Sequence, residues 1–422
     1  MSVEFSLSTE QLEARLGARE FARTVVSKVR PAIEGLATPE ERFHATRPFF
    51  REAVEAGFIK GLIPPEDGGT YTGLVDQVVA GEEVACVDMS LPCTIFSVGL
   101  GLQPLLQFGT REQKDRMLVP FLDQQRDAMA AFAFSEVGGS ANFDSETPGA
   151  GIQTTAFLEG DEWVINGRKQ FTTNATGWDG RGADLITVVC QTDMSKPPSE
   201  SLAVIAVEGP QPGITFHGSQ DTVGHRAALS PIVHLDDVRV PAANLLGDPG
   251  DGLEILARTF SWTAPMVGCG SIGVMRAAFD CAYDFARRDK RNGSVPVIDH
   301  QAVGFLLVDM KMRLEAARSL TWRAAHAYDT SGGLSQELAV MAKVYCSELA
   351  VQVVYDAMRV VGVEAYGDAY PLADLLQDAL ALPLYDGGNL GIRRRQLHDF
   401  LRAEGYDSLA STEGRLPVGH EA

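Results

Sequence analysis

The chain changes period twice, and this constrains its fold more than any other feature. From Ser8 to about Arg126 apolar residues recur at helical spacing. From about Ala128 to Pro241 short apolar runs alternate with Gly, Asn and Asp, and from Asn244 to about Glu404 the helical spacing returns. An apolar stripe repeating near 3.6 residues closes a face only as a helix, whereas short runs bounded by turn residues do so as strands. The chain therefore reads as an α+β protein with a β-region between two helical blocks, divided as 1–126, 127–242 and 243–422.

In the first block Ser8 and Gln11 have capping-box spacing, ahead of Leu12, Leu16, Phe21 and Val25. A second helix is expected over 39–56, ending at Gly57, and Pro64, Pro65, Gly68 and Gly69 mark a loop. A long helical segment starts near Leu74, and EQKDRMLVPFL forms another. The strand candidates are IQTTAFL, EWVING, LITVVCQ, LAVIAVEG, ITFHG and PIVHLDDVRV. Helices are expected near 254–290, 300–329, 335–361 and 389–403, before a polar tail, SLASTEGRLPVGHEA, expected to fray.

Charge and cysteine usage narrow the partners. The formal net charge is -20, from 56 acidic and 36 basic residues, which argues against wrapping a nucleic-acid backbone. An anionic ligand held by a few local arginines is still compatible with it. The six cysteines, at 86, 93, 190, 269, 281 and 346, form no CxxC or CxxH pair, so no metal site is expected. Reduced, buried thiols suit a cytoplasmic protein. The first thirty residues lack a basic-then-apolar signal pattern, and no stretch of eighteen uninterrupted apolar residues predicts a membrane span.

Six segments carry a more specific signal: FGTREQKDRMLVPFL (108–122), AFAFSEVGGSANFD (131–144), GDEWVINGRKQFTTNA (160–175), VHLDDVRVPAANLLG (233–247), DHQAVGFLLVDM (299–310) and YDGGNLGIRRRQ (385–396). In this order they resemble motifs of the acyl-CoA dehydrogenase family. The resemblance implies an N-terminal helical domain, a middle β-barrel-like domain and a C-terminal four-helix bundle. LSTEQLEAR, RFHATRPFFREAVEAGFIKG, ANFD…GIQTTA and LPLYDGGNLGIRRRQL are similar to the nitroalkane oxidase branch in particular. Asp386 is the main departure from other members, which usually carry Glu in a Y-E-G-T context; here the run is Tyr385-Asp386-Gly387-Gly388.

By its residues alone Asp386 is either a solvated turn aspartate, since Asp-Gly is a common turn dipeptide, or a buried base. The resemblance implies the second: Asp386 takes a proton, Arg393 pairs with it, and the Thr263 hydroxyl bonds it. Burial would make the carboxylate a stronger base, and the arginine's charge would weaken it. Phe260, one helical turn before Thr263, would line the substrate pocket. The same resemblance assigns an FAD site. Phe134 and Ser135 would hold the flavin's pyrimidine edge, Ser140 after Gly138 and Gly139 its pyrophosphate, and Phe171 its ring face. Thr173 would lie near N5, with Asn174 completing the motif and Gly387 and Gly388 allowing close approach. Arg291, amid Arg287 and Arg288, would reach with Gln301 and Gly362 the pyrophosphate and adenine end of FAD in a neighbouring subunit. That implies at least a dimer, and the family suggests a homotetramer. Phe171 stands in place of Trp, Val137 in place of Pro, and Phe134 where nitroalkane oxidase has His.

The implied activity is oxidation of a neutral nitroalkane by molecular oxygen, giving an aldehyde or ketone, nitrite and hydrogen peroxide. Three alternatives share the resemblance: an acyl-CoA dehydrogenase using Asp on a CoA thioester, a flavin monooxygenase of the same fold, and a flavin-retaining protein with little turnover.

Overall fold

The computed structural model describes residues 6–418. In the first block the helices are α1 (Thr9–Thr24), α2 (Val29–Ile33), α3 (Pro39–Glu55), α4 (Leu74–Ala85), α5 (Ser90–Phe108), α6 (Arg111–Met117) and α7 (Val119–Leu122). Three of them open on complete capping boxes, Ser8 with Gln11, Thr38 with Glu41 and Thr110 with Gln113, which satisfy amides the helix itself leaves bare. The long helix expected from Leu74 is broken between α4 and α5. There Asp88 turns its carboxylate back to accept from the amides of Ser90 (2.8 Å) and Leu91 (3.3 Å), starting a new helix. The segment expected over 112–122 also breaks, at Leu118, where Pro120 begins a separate turn.

Asp88 is buried among charges. Burial pushes its carboxyl up to about 6, with the nearby Asp378 adding to the shift and Arg30 opposing it. A carboxyl harder to ionise in the folded state stabilises fully below its unfolded value and loses that contribution as pH rises to about 6. Asp88→Asn keeps the accepting oxygen and removes the charge. It should therefore be more stable than the parent at pH 8, by about 1–3 kcal/mol, with the gap closing toward pH 4. Urea midpoints at the two pH values check this; a gap that is absent or independent of pH would contradict it.

The middle block, with Leu245–Leu246 from just beyond it, forms an eight-stranded sheet. Its strands are β1 (Ala130–Ala133), β2 (Thr155–Glu159), β3 (Glu162–Lys169), β4 (Leu185–Gln191), β5 (Leu202–Glu208), β6 (Ile214–Ser219), β7 (Pro231–Pro241) and β8 (Leu245–Leu246), with a short helix α8 (Pro198–Ser201) before β5. The path runs β6-β7-β3-β2-β4-β5-β8, and β1 pairs in parallel with β4. β4 and β5 are almost wholly buried, β1 and β4 on the side covered by α5. β1 has no alternation to reveal it, because all four residues are buried.

The last block holds α9 (Gly252–Arg288), α10 (Gln301–Ser331), α11 (Gln336–Val361), α12 (Leu372–Ala381) and α13 (Arg394–Arg402). α9 spans 37 residues and joins two apolar cores, one shared with the first block and the sheet, the other with α10–α12. Gly273 lets α9 approach α4, since a Cβ there would lie 2.7 Å from that of Ala85. Glu82 and Glu83 on α4 collect Arg15, Arg276 and Arg318, tying four helices together. α5 and α11 are long and apolar enough to cross a membrane by composition, yet both are mostly buried inside the protein, as core helices are. The tail, expected to fray, is held where it is described. Ser411 donates to the buried Glu337 carboxylate, as does Tyr406 just before the tail, and Arg415 pairs back to Asp407. Its last four residues lie outside the described residues.

Candidate active site

The chain leaves α12 at Ala381 and turns sharply before α13. Asp386 (φ 52) and Gly387 (φ 70) are both left-handed. Asp is one of the few residues with a side chain that visits this region, and doing so still costs energy. Residues Asn389–Arg393 then form one π-helical turn, a feature that recurs at functional sites. This irregular backbone brings Arg393 back over the turn. Its Nε donates to the Asp386 carbonyl at 2.8 Å, and its Nη2 to Asp386 Oδ2 at 3.2 Å. From α9, Thr263 Oγ1 donates to Asp386 Oδ1 at 2.7 Å. The Asp386 side chain is 5% exposed and that of Arg393 is 1%. Burial pushes the Arg393 guanidinium below the usual arginine range, while the Asp386 charge resists that shift.

Gly387 is required here. A Cβ on it would lie 2.8 Å from Arg393 Nε, in a left-handed conformation that L side chains rarely adopt. Gly387→Ala should lose about 1–3 kcal/mol, visible as a lower melting temperature; an unchanged one would mean that the guanidinium does not pack on this turn.

Phe260 lies under the pair, with Arg393 Cζ 4.3 Å from its ring centroid. Its ring meets Phe134 edge-on at 5.4 Å, and Phe134 in turn meets Phe143 at 5.5 Å. The α9 residues Phe260 and Thr263, the Asp386 turn and the end of β1 thus converge. The Ser135 carbonyl accepts from the Gln170 amide, joining the β1 end to the segment after β3. Gly138 and Gly139 have φ of 104 and 100, with nothing within 4 Å of where a Cβ would sit. Ser140 closes this turn, its Oγ accepting from the Glu136 amide at 2.9 Å. Phe171 is left-handed (φ 54) and half exposed, an unusual place for a large apolar ring. Thr173 Oγ1 shares a hydrogen bond with Ser230. Asn174 points inward, its Nδ2 donating to the Thr94 carbonyl at 2.9 Å, so it fixes the backbone of the turn. The hydroxyl of Thr172 and the Oδ1 of Asn174 are buried without partners among the described residues.

The comparisons with known proteins agree with this layout. The N-terminal, middle and C-terminal domains of the acyl-CoA dehydrogenase family match residues 8–125, 131–238 and 250–401. The chain belongs to the acyl-CoA dehydrogenase family. Within that family it is 40% identical to a nitroalkane oxidase of Podospora anserina, over 99% of this chain and all of that one. It is 37% identical to the nitroalkane oxidase of Fusarium oxysporum, over 99% of both. An active-site mutant of nitroalkane oxidase crystallized with 1-nitrooctane superimposes with a TM-score of 0.94 at 36% identity, covering 98% of this chain and all of that one.

Against the acyl-CoA dehydrogenase framework, two sets of residues stand out. Arg291, Gln301 and Gly362 are not near Asp386. Arg291 donates to the Val361 carbonyl and pairs with Glu364, beside Gly362, which ends α11. Arg287 and Arg288 lie on α9 itself, with Arg287 over Tyr283 and Arg288 paired to Asp284. At 1.5 Å per residue, the Arg288 end of α9 lies about 38 Å from Thr263. The second set escaped the reading of the sequence. Glu136 and Lys169 form a buried ion pair at 2.8 Å under the Phe134–Ser135 segment, and Lys169 also donates to the Phe134 carbonyl. Lys343 and Asn389 sit beneath the Asp386 turn. Lys343 falls in register with Ala339, Cys346 and Ala350 on the buried stripe of α11, a lysine on an apolar face. That register was its only sequence signal.

Proposed function

We propose that this chain is an FAD-dependent nitroalkane oxidase. It takes a neutral primary or secondary nitroalkane, oxygen and water, and yields an aldehyde or ketone, nitrite and hydrogen peroxide. The observation that carries this reading is the Asp386 carboxylate, nearly closed off from solvent and oriented by Thr263 and Arg393 beside an aromatic wall. A nitro group makes the adjacent C–H acidic enough for a carboxylate to remove its proton, provided the carboxylate is aimed and poorly hydrated. Thr263 and Arg393 hold the rotamer, and Phe260 and Phe134 exclude water. The fold shared with nitroalkane oxidase crystallized with 1-nitrooctane supports the substrate class.

The residues present fit FAD. The open turn at Gly138 and Gly139 suits close approach of a phosphate, and the outward Phe171 ring suits the face of a planar heterocycle. Ser135, Ser140 and Thr173 bring polar groups to the same surface, and Gly387 and Gly388 keep the Asp386 turn thin. Bound there, FAD supplies the two-electron acceptor that oxygen restores.

The distance of Arg291, Gln301 and Gly362 from Asp386 supports their serving the FAD of a second copy, in a homotetramer. Native mass spectrometry checks this; a monomer with full flavin occupancy would contradict it. The six free cysteines support a cytoplasmic setting.

The deciding assay uses the purified yellow protein. Nitroethane under air should yield nitrite and peroxide, and octanoyl-CoA without oxygen should leave the flavin unbleached. Bleaching by the thioester with no nitrite from nitroethane would favour an acyl-CoA dehydrogenase instead.

A further inference from the structure

Lys343 on α11 is fully buried, and the three partners of its ammonium are all neutral. They are Asn389 Oδ1 at 2.6 Å, the Gly387 carbonyl at 3.3 Å and the Pro383 carbonyl at 3.4 Å. An ammonium has three protons and no acceptor, so all three serve one loop, the loop that carries Asp386. Burial pushes this ammonium down to about 7, with the Asp386 charge favouring it and that of Arg393 opposing it. A group so costly to bury needs a compensating role, and its contacts show one.

A left-handed Asp386 costs energy and persists only where its surroundings over-determine it. Arg393 takes the Asp386 carbonyl, and Lys343 takes carbonyls before and after it. Asn389 is fastened in turn, its Nδ2 donating to Ser347 Oγ at 2.9 Å and to Glu348 Oε1 at 3.0 Å, which leaves its oxygen for Lys343. Asn389 also donates its backbone N–H to the Pro383 carbonyl, closing the loop on itself.

We infer that Lys343 is a positioning residue: by bridging Pro383, Gly387 and Asn389 it locks the turn that aims the Asp386 carboxylate at substrate. The inference rests on the reading of Asp386 as the base. Lys343→Met keeps the length of the side chain and removes all three donors. In the flavin-loaded enzyme it should lower kcat/KM for nitroethane about 10- to 100-fold, the loss expected of a misplaced group. Ethyl nitronate arrives already deprotonated and needs no base, so its kcat/KM should stay within about twofold. Hydrogen exchange read by mass spectrometry should show lost protection at 383–393 and no change in the sheet. Asn389→Ala removes the shortest of the three contacts and carries the same test should Lys343→Met fail to fold. Equal losses with both substrates, or unchanged exchange at 383–393, would overturn the inference. If the parent enzyme releases no nitrite from nitroethane, the functional reading fails, and the exchange measurement alone decides the clamp.

Discussion

Asp386→Asn should leave a yellow, folded protein whose turnover of nitroethane falls by at least about a thousand-fold, within the range that a positioned base contributes. The substitution is nearly isosteric. An asparagine can set its oxygen toward Arg393 Nη2 and its amide toward Thr263, whose hydroxyl can rotate to accept. The turn therefore keeps its hydrogen bonds, and the segments after β1 and β3 proposed to hold FAD are untouched. What is lost is the lone pair that receives a proton. Flavin absorbance and nitrite release, measured on the same preparation, separate the two effects. Turnover within tenfold of the parent would sink the assignment of the base.

Arg393→Met should destabilise the protein by about 3–5 kcal/mol, the cost of leaving a buried charge without its partner. Two further losses act in the same direction. The guanidinium covers Phe260 at 4.3 Å, and its Nε satisfies the Asp386 carbonyl. The control is the double variant Arg393→Met with Asp386→Asn. With the carboxylate neutral, the main penalty disappears, so the double variant should be more stable than Arg393→Met alone. Denaturant midpoints at fixed protein and flavin concentration measure both, because a bound cofactor shifts apparent stability and self-association would make it depend on concentration. A single variant as stable as the parent would mean that the pair is solvated rather than buried.

Much of the layout was legible in the chain itself. Helix starts could be read at Ser8 because a capping box is a local exchange of hydrogen bonds between residues three apart. The extents of β3–β7 and of α9–α11 followed from period and turn residues. The trio Asp386, Arg393 and Thr263 came from resemblance, and the structure brings it within hydrogen-bonding distance. Other features left no local trace. β1 is four buried residues with no alternation, and α12 is short and lies between irregular segments. Nothing at 389–393 distinguishes a π-turn from the first turn of an ordinary helix. Arg393 lies seven residues beyond Asp386, and the contact is made through a left-handed corner and a π-turn rather than along regular helical turns.

Period and turn chemistry thus determined where helices and strands form, because those choices depend on neighbours within a few positions. The sequence also carried the candidate carboxylate and its two partners. Only the tertiary structure decided which charges are buried and what they serve. A lysine in α11 and another in β3 look like solvated residues until distant segments close over them. Burying a charge is favourable only when its partners are in place, and those partners lie 33 and 46 residues away along the chain.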